Sequence, residues 1–137
     1  MVDTSFLYAL AAARDARHAD ALDWYMSDDH ELVTTPFVLG EMDHLVRARG
    51  HRHAIAAYRR DVIAGRPVVE WWPTAPAEAA EIAELYGDLG VSLTDASLVA
   101  LADRLETARI ATFDERHFRA MRRLRRQAAF TLVPLDD

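Results

Sequence analysis

The chain has 137 residues, 22 acidic and 16 basic side chains, a net charge of −6 and 51% hydrophobic content. That is one domain's length with enough apolar material for a core, and its acidic balance argues against a protein that coats nucleic acid through cationic charge. Cysteine and lysine are both absent, every basic residue being arginine. This excludes disulfides, thiolate zinc sites, cysteine nucleophiles, Walker-type phosphate loops and Schiff-base chemistry. No segment approaches the roughly 20 apolar residues of a membrane span, and no basic stretch leads into an apolar run at the N-terminus. A cytoplasmic protein without a signal peptide is expected. Val2 to Thr4 reads as the end of a short strand. Only two residues precede Asp3, unusually little for a strand, which leaves open a start further upstream. Helices are predicted over 5–13 and 18–26, broken near Arg14-Asp15, followed by a strand over 31–35. Pro36 opens a helix at its first position, where a missing N–H costs nothing, and the helix runs to about Arg49, with Gly50 as its stop. A helix over 51–64 closes at Gly65, and 68–72 is strand-like. Residues 76–89 read as helix, stopped by Gly90, and 94–106 as a strongly amphipathic helix. A strand over 109–113, a helix over 114–126 and a last strand over 130–134 complete the chain. Strands alternating with helices predict an α/β fold. The expectation is a single α/β/α sandwich over 1–137 with a small, mainly parallel sheet of about five strands. Sites in such sheets form beyond the carboxyl ends of the strands.

Three aspartates fall at that edge: Asp3 after the first strand, Asp95 after Gly90-Val91-Ser92-Leu93, and Asp114 after Ile110-Ala111-Thr112-Phe113. Each alone reads as a helix cap or first-turn acid, worth about 1 kcal/mol. Glu41 adds to them. At about 100° per residue it falls on the arc of Phe37, Val38, Met42, Leu45 and Ala48, while Asp43, His44 and Arg47 face the other way. A carboxylate on an apolar face is paired, protonated or metal-bound, and an ion pair with an arginine is the bland alternative. Asp95 shares its side of a helix with Leu98, Val99, Ala102 and Leu105. Carboxylates gathered at about 5 Å repel by roughly 3 kcal/mol per pair at an effective dielectric near 20. The cluster therefore calls for protons or a hard cation, Mg²⁺ or Mn²⁺, and for phosphodiester hydrolysis as its chemistry.

These residues resemble a known family. Val-Asp-Thr-Ser-Phe-Leu at the N-terminus, Gly-Glu-Met-Asp-His-Leu around Glu41, Leu-Thr-Asp-Ala-Ser-Leu at Asp95 and Thr-Phe-Asp-Glu-Arg-His-Phe at Asp114 are similar, in this order, to the PIN-domain ribonucleases, and among them to VapC-type toxins of bacterial toxin–antitoxin pairs. The resemblance implies an endoribonuclease dependent on Mg²⁺ or Mn²⁺, with a metal-activated water attacking the scissile phosphorus. Asp3, Glu41, Asp95 and Asp114 would be the catalytic, metal-holding quartet. Thr4, Thr112 and, less directly, Thr94 would be hydroxyls that orient them. A homodimer and a small cognate antitoxin are implied as well. The other reading is a catalytically silent PIN-like module that binds a protein or RNA. A phosphatase with an aspartyl nucleophile fits poorly, because Ser5 stands where a second aspartate is wanted and lysine is missing.

Arg116, Arg119, Arg122, Arg123 and Arg126 would share one side of a helix over 114–126, as a track for an RNA backbone, as a solvated face or as a contact for the antitoxin. His117, three residues after Asp114, would reach the pocket or stay at the surface. His44, His51 and His53 do not share the spacing of a metal site. Trp71 and Trp72 should point to opposite sides of a strand, leaving at least one for the core or a dimer contact; with Trp24 they are also candidates for base stacking.

Overall fold

The computed structural model describes residues 1–27, 29–49, 52–125 and 128–137. In chain order it contains α1 (Thr4–Ala11), α2 (His18–Met26), β1 (Val33–Thr34), α3 (Pro36–Arg49), α4 (Arg52–Ile63), β2 (Val68–Val69), α5 (Ala75–Leu85), α6 (Leu93–Arg104), β3 (Arg109–Ala111), α7 (Glu115–Ala120) and β4 (Thr131–Val133). β1 pairs in parallel with β2, and β3 in parallel with β4. Val2 joins the two pairs. Its N–H donates to the Val33 carbonyl at 2.9 Å, and it bridges Ala111 in parallel. The Asp3 N–H donates to the Ala111 carbonyl at 3.0 Å, and the Ala111 N–H to the Met1 carbonyl at 2.8 Å. The spatial order is thus β2, β1, residues 1–3, β3, β4. The strands are shorter than the sequence suggests, and the first is reduced to one bridge at the centre of the sheet.

Burial explains why so short a sheet holds. Val2, Ile110, Ala111 and Leu132 are wholly buried, and the Thr34 hydroxyl donates to the Val2 carbonyl at 2.8 Å. α6 is buried from Asp95 through Asp103, so it is a central helix buried all round rather than the amphipathic helix expected, and Leu105 at its C-cap is exposed. α5 packs along α6 through Ala75, Ala79 and Ile82. α5 ends at Leu85, earlier than predicted; a 3₁₀ turn over Gly87–Leu89 follows, and Gly90 takes the left-handed conformation with φ 67°. Trp72 is buried and Trp71 half-buried, though β2 ends before either. The predicted stop at Gly50 and the predicted start at His51 lie outside the described residues.

The largest departure is at 114–126. α7 stops at Ala120, because Met121 turns to extended backbone (φ −75°, ψ 158°) and Arg122 bridges Ala129 in antiparallel pairing. Local helix propensity loses there to tertiary bonds. Buried Asp103 accepts the Arg125 N–H at 3.3 Å, and buried Arg123 lies 3.6 Å from the same carboxylate. The one-sided arginine face consequently does not form; Arg126 lies outside the described residues.

Candidate active site

Asp3 leaves the sheet at its central position and caps α1, its Oδ2 accepting the Ser5 N–H at 3.4 Å. Asp114 follows β3 and caps α7, its Oδ1 accepting the His117 N–H at 3.2 Å. The capping reading was therefore correct for both, and it is also what aims them: each carboxylate is fixed at a strand's carboxyl end. Asp95 sits in the first turn of α6. The cap there is Ser92, whose Oγ accepts the Asp95 N–H at 3.1 Å. With Glu41 from α3, these acids line one cleft of about 430 Å³.

Glu41 is exposed, which corrects the expectation of a buried carboxylate. The buried stripe of α3 is Val38, Met42 and Val46, and a residue adjacent to Met42 is turned about 100° from it. Glu41 thus stands at the stripe's margin, where the Thr4 hydroxyl donates to its Oε2 at 2.5 Å. His44, one turn on, lines the cleft beside it instead of facing away.

Asp3 is 4% exposed and Asp95 8% exposed. Burial pushes the Asp3 carboxyl up to about 6, against the opposing bonds from Ser5 and Thr112 and with a further rise from the Asp95 charge. Asp95 is also raised, first by burial; His117 opposes the shift and Asp114 adds to it. The Ser5 and Thr112 hydroxyls both donate to Asp3 Oδ2, at 2.8 and 2.9 Å. Thr112 Oγ1 accepts the Asp114 N–H at 2.9 Å, which ties two of the acids through one hydroxyl. Of the hydroxyls singled out from the sequence, Thr4 bonds Glu41 and Thr112 bonds Asp3. Thr94 does not line the cleft, and its carbonyl accepts from Ser97 Oγ. Ser5 and Ser92, which sequence reasoning missed, orient Asp3 and Asp95. The signal for Ser92 was present, a Ser three residues before an acid at a helix start.

His117 Nδ1 lies 3.0 Å from Asp95 Oδ2 and 3.1 Å from Asp114 Oδ2, yet forms an aligned hydrogen bond with neither. One ligand atom each from Asp95, Asp114 and His117 fall within 4.8 Å of one another. A buried nitrogen without an aligned partner beside two carboxylate oxygens fits a small divalent cation. The compact trio includes an imidazole where only oxygens were expected. The arginines proposed to contact substrate fare differently from one another. Arg116 is exposed in the first turn of α7. Arg119 is held by Asp136 at 2.6 Å and Glu115 at 3.3 Å, and Arg123 is buried, so neither is a free phosphate contact.

Residues 1–124 match the PIN domain family. The chain is 35% identical over 140 aligned positions to Ribonuclease VapC26 of Mycobacterium tuberculosis, covering 98% of this chain and 99% of that protein. It is 33% identical to Ribonuclease VapC29 of the same species, covering 83% of this chain and 84% of that one. Among solved structures, the crystal structure of M. tuberculosis VapC20, a Sarcin-Ricin loop cleaving toxin, superposes with a TM-score of 0.71 at 30% identity, covering 83% of this chain and 88% of that one.

Proposed function

The chain belongs to the PIN-domain family as a VapC-type ribonuclease, and from that premise we propose that it is a toxin endoribonuclease whose phosphodiester hydrolysis depends on Mg²⁺ or Mn²⁺ held in the acidic cleft. The observation that carries the reading is the convergence of Asp3, Glu41, Asp95 and Asp114 on one cleft, two of them buried. Asp95, Asp114 and His117 would hold the cation, with Asp3 and Glu41 at its margin. The chemistry it supplies when bound is positive charge, which draws in the phosphate and acidifies water. Thr4 fixes Glu41 through Oε2, and this exposed, cleft-lining carboxylate can accept a proton from an attacking water. Ser5 and Thr112 hold Asp3 against rotation, and His117 Nδ1 stands between Asp95 and Asp114.

VapC20 is described as a 23S rRNA-specific endonuclease and is 47% identical to this chain over 57 residues, 41% of this chain and 44% of its own length. Large ribosomal RNA is accordingly the first substrate we propose, with tRNA and mRNA as comparators. A small cognate antitoxin, a homodimer and a cytoplasmic site of action complete the proposal. No helix among the described residues is long and apolar enough to cross a membrane.

The test is cleavage of total bacterial RNA with Mg²⁺ or Mn²⁺, with EDTA, and with Asp95→Asn. Defined fragments that vanish with EDTA and with the variant support the enzyme, and their ends name the target. No cleavage and no rise in melting temperature with either ion would sink the catalytic reading in favour of a silent binding module.

A further inference from the structure

The acidic cleft has a cationic neighbour that lies outside the segment where sequence reasoning looked for RNA contacts. Arg17 opens α2, 53% exposed, and its guanidinium carbon lies 5.4 Å from the centre of the Phe113 ring. Phe113 is no remote residue. It stands between Thr112 and Asp114, and its N–H donates at 2.9 Å to the Oγ of Ser5, which lines the cleft. Its ring stacks on wholly buried Phe6, with centroids 5.7 Å apart and planes at 20°. The platform beneath the guanidinium is therefore rooted in the core. The turn that carries Arg17 is also fixed: Asp15 Oδ1 accepts the Arg17 N–H at 2.8 Å, and His18 Nδ1 lies 2.7 Å from the Ala9 carbonyl. Among the described residues, the carboxylate paired with the guanidinium is Asp20, at 3.4 Å in an exposed pair. Such a pair contributes little and is readily exchanged for a phosphate.

We propose that Arg17, held over the Phe113 ring, contacts a phosphate of the RNA strand beside the scissile one. This rests on the nuclease reading above. The charge balance favours it. A strand entering a cleft lined by four carboxylates is drawn by cations outside the metal position; Arg119 and Arg123 are committed elsewhere, and Arg17, like exposed Arg116, is such a cation. A guanidinium on an aromatic face keeps its edge N–H groups free for a phosphate oxygen while its plane is fixed.

The experiment measures binding of a fluorescein-labelled single-stranded RNA oligomer to the full chain carrying Asp95→Asn, by anisotropy over a range of KCl. Arg17→Gln on that background should weaken binding about fivefold and flatten the slope of log K against log salt by about 0.7, the value for one phosphate contact on a single strand. Arg17→Lys should keep the slope and recover part of the affinity. Arg119→Gln should change neither. In the otherwise unsubstituted chain, Arg17→Gln should raise KM and leave kcat in place. An unchanged affinity and slope for Arg17→Gln, in a chain that still cleaves RNA, would overturn this proposal alone. Neither binding nor cleavage by the parent chain would overturn the nuclease reading and this proposal together.

Discussion

His117 places Nδ1 within 3.1 Å of carboxylate oxygens from two different elements, Asp95 on α6 and Asp114 at the cap of α7. Helix α7 is only six residues long, yet its cap and its third residue both reach the cleft. The pairing explains how a short helix contributes twice to the cleft: the cap sets the axis, and the imidazole follows three residues on. His117→Ala should lower Mn²⁺ affinity at least about tenfold, since removing even a group that only supports a ligand costs about that much. Titration calorimetry against the parent reads this. An unchanged affinity would assign His117 to packing alone.

Asp3 makes the metal-free fold sensitive to pH. Its folded pKa of about 6 lies above the ordinary carboxylate value of 3.8. A raised carboxyl favours folding while protonated, so its contribution is whole below about pH 4 and is lost as pH rises through about 6. About two units correspond to about 3 kcal/mol. In EDTA the melting temperature should fall between pH 4 and pH 6, and Asp3→Asn should flatten that fall and stabilise the metal-free chain near pH 7. Mn²⁺ should reverse the order, favouring the parent. A melting curve series with and without EDTA checks both signs.

Thr4 fixes the exposed acid. Its hydroxyl holds Glu41 Oε2, and its own side chain is buried against the cleft wall. Thr4→Val keeps the shape and removes the donor; cleavage should drop about tenfold while stability changes by about 1 kcal/mol or less. Thr4→Ser should restore most of the rate. Equal losses for Val and Ser would point to packing of the methyl group instead.

The quartet was legible because caps and strand ends have local signatures. Asp3, Asp95 and Asp114 each stand at a helix start, a position the sequence marks by itself. Glu41 was found by helical periodicity, but its burial was misjudged, since the wheel gives direction and not the depth of the neighbouring wall. Ser5 was read only as a missing aspartate, although its hydroxyl touches Asp3 and Thr112 and receives the Phe113 N–H. Contacts across more than a hundred residues leave no mark on local pattern. The arginine-rich end failed for the same reason: 114–126 has a helical composition, and what bends it is Asp103, far back on α6.

That bend can be weighed by mutation. Arg123 and Arg119 lie four residues apart and were expected on one face, but Arg123 is 4% exposed beside Asp103 while Arg119 lies at the surface with Asp136 and Glu115. Removing one partner of a buried pair leaves an uncompensated charge and costs about 3 to 5 kcal/mol. Arg123→Ala should fall near the lower figure, because the 3.6 Å contact is long and Nε lacks an aligned acceptor. Arg119→Ala, at the surface, should lower the melting temperature much less. Urea unfolding of the two variants against the parent gives the comparison. Asp103→Asn should resemble Arg123→Ala, and the double change Asp103→Asn with Arg123→Met should recover part of the loss, since no buried charge is then left alone. Comparable small losses for Arg123 and Arg119 would mean that the 121–129 segment is held by its backbone bridge and not by the arginine.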